Sequence, residues 1–269
     1  MTSNEEKATS FGSVADSYDR VRPAPPAAAL DWLVPAGCAV AVDLAAGTGL
    51  FTRALLGRAA RVVAVEPDDR MRDVLARRSP DVDVRRGWGE SMPLSDASAD
   101  AVFVSTAWHW LDLPRAVPEI ARVLRPGGRL GVTWTSRDRG EDWVAELDLL
   151  RPNGVPAIDP PVPGAAQPTT AAEVRALLAR QRSVLLPKGA PFGAGETASF
   201  GFSRTMSVDD MLEWLSTRSS FLTASAADRA SAFAMTKDAL LSRARTAPDG
   251  AGPVVEMPMR TRCWRADRW

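Results

Sequence analysis

The sequence predicts an α/β fold, a doubly wound and mostly parallel sheet with a helical cap over its carboxyl edge. Three observations predict it. Residues 36–135 alternate short apolar runs with amphipathic or turn-bounded segments, the pattern of βαβ units. At Val42–Thr52 an apolar run passes directly into a Gly-x-Gly turn and then a helical pattern. Beyond Trp134 the alternation stops, and proline-rich chain followed by helical periodicity takes over.

Taken in order, AVAVDLA (Ala39–Ala45), RVVAVE (Arg61–Glu66), DVDVRRG (Asp81–Gly87), ADAVFVSTA (Ala99–Ala107) and RLGVTW (Arg129–Trp134) read as five strands. Helices are expected between them at Gly49–Gly57, Asp68–Arg77 and Leu113–Leu124, the last with Asp112 as its N-cap. The stretch 151–168 is too rich in proline and glycine for a regular element. Helical patterns follow at Ala171–Arg182, Ser207–Arg218 and Ser225–Arg245. The last two open with Ser-x-x-Asp, a capping box with Asp in place of Glu. VVEMPMRTRCWRA (Val254–Ala266) alternates as a terminal strand. The expected organisation is a leading segment 1–35, a cofactor-binding core 36–135, a cap and substrate-binding region 136–250, and a terminal strand 251–269 completing the core sheet.

Composition narrows the function. The 269 residues hold 33 basic and 33 acidic side chains, so no strong general field marks a nucleic-acid or anionic-membrane partner. No stretch reaches the roughly 18 apolar residues of a membrane span, and the start MTSNEEKATS lacks an apolar signal segment. A cytoplasmic protein acting on small molecules is expected. Cys38 and Cys263 lack metal-ligand and redox spacing, and no metal site is expected. There is one histidine, His109, and one tyrosine, Tyr18, so chemistry that needs imidazole has a single candidate.

The turn carries the chemistry. Gly47 and Gly49 let the backbone bend sharply and approach a ligand closely. Glu66, ending the second strand, lies where a ribose beside that turn would offer both hydroxyls. A dinucleotide fingerprint would place a third glycine where this chain has Thr52. Asp43, just before the turn, would repel pyrophosphate but could hold water or an ammonium group. A nicotinamide oxidoreductase is therefore disfavoured.

The segment VDLAAGTGLFT resembles motif I of class I S-adenosylmethionine-dependent methyltransferases, which have a Rossmann-like fold. EPDDRM (Glu66–Met71), GWGESMPLSDASADAV (Gly87–Val102) and ARVLRPGGRLGVTW (Ala121–Trp134) resemble later motifs in the same order, and FGSVADSYDRVRP (Phe11–Pro23) resembles the amino-terminal lid. AWHWLD (Ala107–Asp112) is similar to a motif of the small-molecule subgroup that includes trans-aconitate methyltransferase. The likeness runs from Phe11 to about Trp134 and is looser from Phe200 to Ala266. It implies S-adenosyl-L-methionine as cofactor, with the backbone at Gly47 and Gly49 on its methionine part, Asp43 alongside, and Glu66 on the ribose. It further implies Pro67 and Met71 on the adenine, Tyr18 and Arg22 reaching the cofactor carboxylate, and Ala45, Glu90 and Thr106 completing the set. Many relatives contact the adenine amino group with an Asp where this chain has Trp88, so backbone groups of Gly89 are expected to supply that contact.

AWHW follows a strand and so lies at the carboxyl edge, where ligands bind in an open parallel sheet. His109 is the catalytic candidate, and Tyr18, Trp108, His109 and Trp110 are the expected acceptor contacts. The two indoles could also offer ring faces to a sulfonium, each worth about 0.5–2 kcal/mol. The expected reaction is methyl transfer to a small-molecule acceptor, at a carboxylate or hydroxyl oxygen. Transfer to nitrogen or carbon, and noncatalytic cofactor binding on the same fold, are the alternatives.

Overall fold

The computed structural model describes residues 19–150, 166, 168–181, 184–217, 221 and 224–269. In chain order they form α1 (Ala27–Leu33), β1 (Val40–Leu44), α2 (Leu50–Leu55), β2 (Arg61–Val65), α3 (Asp69–Arg78), β3 (Asp83–Arg85) and β4 (Ala99–Ser105). A 3-10 turn at Trp108–Trp110 precedes α4 (Leu113–Val123) and β5 (Leu124–Arg137). Then come α5 (Asp142–Glu146), α6 (Ala171–Gln181), β6 (Glu196–Ser207), α7 (Val208–Ser216), α8 (Ala226–Leu241), β7 (Arg245–Thr246) and β8 (Pro253–Asp267).

The strand order is β3-β2-β1-β4-β5-β8-β6, with β7 pairing antiparallel to β8. β1 pairs in parallel with β2 on one side and β4 on the other, and β2–β3 and β4–β5 are also parallel. The chain therefore winds outward in both directions from β1, and the crevice at the carboxyl ends of β1 and β4 is the topological switch point where such sheets bind ligands. Helices lie on both faces, as predicted. Val42, Leu44, Val102, Val104, Leu130 and Val132 pack with Val117, Ile120 and Ala121 of α4 on one face. Ala41, Val62, Ala101 and Phe103 pack with Leu30 and Leu33 of α1 and Phe51 and Leu55 of α2 on the other. Gly131 is required there, because a Cβ would stand 2.6 Å from the Phe103 ring and 3.1 Å from Leu33.

Two compact units divide the chain. One holds the chain through Thr135 together with Val184–Phe200 and Thr261–Trp269; the other holds Ser136–Ser183 and Gly201–Arg260. This division differs from the expected boundaries in two respects: Val184–Phe200 belongs with the core, and residues 253–260 of the terminal strand belong to the second unit. Within that unit, buried Asp148 accepts from Arg137 at 2.6 Å and also from Arg139, and Arg260 pairs with Asp138 at 2.6 Å. Burying a shared carboxylate requires such partners.

Local details depart from expectation in identifiable ways. β5 begins at Leu124, five residues earlier than expected. β6 was not expected at all. Asp112 makes no side-chain cap bond; the Glu90 carboxylate instead takes the Asp112 N–H at 2.8 Å. Ser207 and Ser225 do cap α7 and α8, accepting from the N–H groups of Asp210 and Asp228 at 3.0 and 3.1 Å. Most of the proline-rich stretch 151–168 lies outside the described residues. Among the described residues no helix is long and apolar enough to cross a membrane, and no group of three or more His, Cys, Asp or Glu could hold a metal ion.

Candidate active site

β1 drives its buried face straight into the turn at residues 45–49, and the backbone there takes left-handed values at Ala45 (φ 56°), Gly47 (φ 56°) and Gly49 (φ 85°). Gly49 is the N-cap of α2, and a Cβ on it would meet Leu75 of α3 at 2.8 Å; Gly47 faces open space. The first glycine thus clears room for a ligand, and the second lets two helices close on each other.

Two buried carboxylates stand at this turn. Glu66, at the end of β2, accepts the Gly47 N–H at 2.9 Å on one oxygen and the Asp68 N–H at 3.0 Å on the other. Burial pushes its carboxyl up to about 7 against those hydrogen bonds. Each carboxylate oxygen keeps a further lone pair for a ligand hydroxyl. Asp43 is fully buried and its Oδ2 accepts from the Thr52 hydroxyl at 2.6 Å, while Oδ1 has no hydrogen-bond partner among the described residues. Burial first, and the nearby Glu66 charge second among the raising causes, lift its carboxyl to about 7. An orphaned buried acceptor beside an open turn suits a cationic donor such as an ammonium group.

Thr52 acquires a role that sequence reasoning missed, where it counted only as a missing glycine. It orients Asp43 by a hydrogen bond across the strand–turn–helix unit, and the visible signal was a hydroxyl one turn into the helix after an acidic strand end. Arg53 was also missed. Its guanidinium donates to the Thr48 carbonyl at 2.9 Å and pairs with Asp19, tying the segment before α1 to the turn. Asp68 caps α3 by accepting from the N–H groups of Arg70 and Met71, and Arg72 donates to the carbonyls of Glu66 and Pro67 at 2.9 and 2.8 Å. These bonds fix the loop on which Glu66 and Pro67 sit, with Met71 buried at its helix end.

On the opposite flank of the switch point, Thr106 follows β4 with φ 61° and donates its N–H to the Thr133 carbonyl at 2.7 Å. The chain then makes the 3-10 turn. Trp108 is buried in the α4-side core, His109 and Trp110 are half-buried, and their rings lie 4.8 Å apart at 51°. The loop at Trp88, Gly89 and Glu90 locks onto this segment. Trp88 exchanges backbone bonds with Ser91, a Cβ on Gly89 would meet Leu111 at 2.7 Å, and Glu90 holds the Asp112 N–H. Glu90 therefore spends one carboxylate oxygen on supporting the His109 segment. Arg22 is half-buried in the segment leading to α1; Tyr18 lies outside the described residues.

Residues 42–132 match the family model described as methyltransferase domain. An uncharacterized methyltransferase of Mycobacterium tuberculosis is 48% identical over 158 residues, 58% of this chain and 65% of that protein. The chain thus matches just under two thirds of the length of that curated relative. A malonyl-[acyl-carrier protein] O-methyltransferase of Methylococcus capsulatus is 37% identical over 114 residues, 40% of each chain. A solved structure from Anaeromyxobacter dehalogenans, provisionally named a type II methyltransferase, is similar with a TM-score of 0.63 and 25% identity, covering 92% of this chain and 97% of that one.

Proposed function

Because residues 42–132 match a methyltransferase-domain family model, we propose that the whole chain is an S-adenosyl-L-methionine-dependent methyltransferase of the class I, Rossmann-like kind whose acceptor is a small molecule methylated on oxygen. One observation carries the cofactor assignment. The Glu66 carboxylate is held by the Gly47 N–H at the same turn where Asp43 keeps an unpartnered buried oxygen. A molecule with a ribose at one end and an ammonium at the other satisfies both groups, whereas a pyrophosphate would be repelled by both.

When bound there, S-adenosylmethionine supplies a methyl group on a sulfonium; transfer to a carboxylate oxygen forms one C–O bond, breaks one C–S bond whose electron pair stays on sulfur, and moves no proton. The protein's task is positioning in line, which supplies about 7–11 kcal/mol when the reacting atoms are held near contact. Glu66 would hold the ribose end of the cofactor, and the Gly47–Gly49 turn with Asp43 its methionine end. His109, set at the carboxyl end of β4 by the 3-10 turn, orients the acceptor by donating a hydrogen bond. The O-methyltransferase relative supports oxygen as the receiving atom.

Titration calorimetry with S-adenosylhomocysteine tests the reading. Wild-type protein should bind it, and Glu66→Ala should lose about 1.5–3 kcal/mol of affinity, the worth of hydrogen bonds to a charged group. Unchanged affinity in the variant removes the cofactor assignment. His109→Gln should keep most of the rate with a carboxylate acceptor and lose about 10²-fold or more if the acceptor is a hydroxyl that needs a base.

A further inference from the structure

Two tryptophans near the end of the sheet carry hydrogen-bond donors with nothing to give them to. Trp108 and Trp134 expose only 2% and 3% of their surface, and neither indole nitrogen has an acceptor among the described residues. Buried indole N–H groups are normally bonded, so two orphans in one cluster ask for an explanation. Both belong to the apolar cluster on the α4 face, with Phe192 and Trp264 buried in it and Trp110 and Leu111 packed against it. Their placement follows from the register. Leu130, Val132 and Trp134 alternate onto the same face of β5, and Ser105 pairs with Thr133, so Trp134 stands level with the residue just after β4, and Trp108 follows two residues later. The two donors therefore lie on the α4 face, level with the carboxyl end of β4 and just beyond it.

We propose that the indole N–H groups of Trp108 and Trp134 are the recognition donors for the methyl acceptor, and that this acceptor is an apolar carboxylic acid bound through its two oxygens. The inference rests on the methyl-transfer reading and names its substrate class. An indole nitrogen donates and cannot accept. Its complement is a group with acceptors only, and an ionised carboxylate offers one oxygen to each donor, whereas an alcohol brings a proton that would itself need a buried acceptor. The surrounding side chains are aliphatic and aromatic, so the remainder of the molecule must be apolar to sit among them. Trp134 is thereby a specificity-determining residue, one that the order of motifs along the chain does not single out.

The experiment uses full-length protein with ¹⁵N-labelled indoles, loaded with S-adenosylhomocysteine and titrated with phenylacetate, 3-phenylpropionate and octanoate, with 3-phenylpropanol as the uncharged control. Two indole resonances, identified by their loss in Trp108→Phe and Trp134→Phe, should move downfield with at least one acid and stay in place with the alcohol. Trp134→Phe should bind S-adenosylhomocysteine as wild type does and bind that acid about 10-fold to 100-fold more weakly. If both resonances ignore all three acids at millimolar concentration, or respond equally to the alcohol, the assignment is wrong. Resonances that stay hydrogen-bonded to water throughout overturn it as well. Should a variant fail to fold, indole N–H exchange in wild-type protein separates the same outcomes: slowing by an acid supports the contact, and exchange unchanged by all three acids overturns it. Failure of S-adenosylhomocysteine to bind at all would instead remove the methyl-transfer reading, and calorimetry separates the two.

Discussion

The two flanks of the switch point are built on different principles. At the β1–β2 flank the binding groups are backbone and short carboxylates, and most of their polar atoms are already engaged: Glu66 by two N–H groups, Asp43 by Thr52. At the β4–β5 flank the groups are long aromatic side chains, and two of their donors are unengaged among the described residues. The first flank leaves one buried acceptor open, Asp43 Oδ1, and the second leaves two buried donors open, the indole nitrogens of Trp108 and Trp134.

The strongest way to break this comparison is to attack the preformed flank. Gly49→Ala places a Cβ at φ 85° and 2.8 Å from Leu75, combining left-handed strain with overpacking. It should cost about 4 kcal/mol of folding stability, read as a fall in denaturation midpoint. Gly47→Ala at φ 56° meets nothing within 4 Å. It should cost only about 1–2 kcal/mol of stability while weakening S-adenosylhomocysteine binding strongly. Equal stability losses at the two glycines would show that the turn does not divide its labour in this way.

A pH series sharpens the same point. Asp43 and Glu66 both reach about 7 in the fold, from ordinary values of 3.8 and 4.5. Between about pH 4 and 7 the folded protein holds protons that the unfolded chain has released, so their contribution is full below pH 4 and is lost as pH rises through 7. Ligand-free protein should therefore lose on the order of 5 kcal/mol between pH 5 and 8 from these two groups together. S-adenosylmethionine, whose ammonium favours ionised Asp43, should bind more tightly over the same interval. Asp43→Asn should flatten both trends; if it leaves the slopes intact, the carboxylate is not the group responsible.

The smallest expected effects separate real caps from apparent ones. Ser207→Ala should cost about 1 kcal/mol, because its hydroxyl accepts the Asp210 N–H. Asp112→Ala should cost less than about 0.5 kcal/mol, since Glu90 already takes the N–H at that helix start. Thermal denaturation of the two variants side by side checks the order.

What could be read from the chain follows the same divide. The parallel core was legible because its strands are buried on both faces and its turns are marked by Gly47, Gly49 and the polar run after Glu66. The cradle was legible because it is local: an acidic strand end, a glycine turn and a second acidic strand end at fixed separations. β6 was not, although Ala198, Phe200, Phe202 and Met206 do alternate, because Gly201 and the exposed small residues Thr197, Ser199, Ser203 and Thr205 dilute the pattern. Asp112 does stand at the N-cap of α4, but its side chain makes no cap bond, and the Glu90 carboxylate that takes its N–H lies 22 residues away, beyond any local pattern. Trp134 looked like the end of a strand, and only the register against β4 reveals its orphaned donor.

Ala45 sits at φ 56° in a position where glycine would rest at no steric cost. An alanine forced into that well costs about 1–2 kcal/mol of stability, yet it also has far fewer conformations to wander through than glycine would. The turn consequently has less disorder to surrender when a nucleoside settles against it. Stability given up during folding returns as a smaller entropic penalty at the moment of binding.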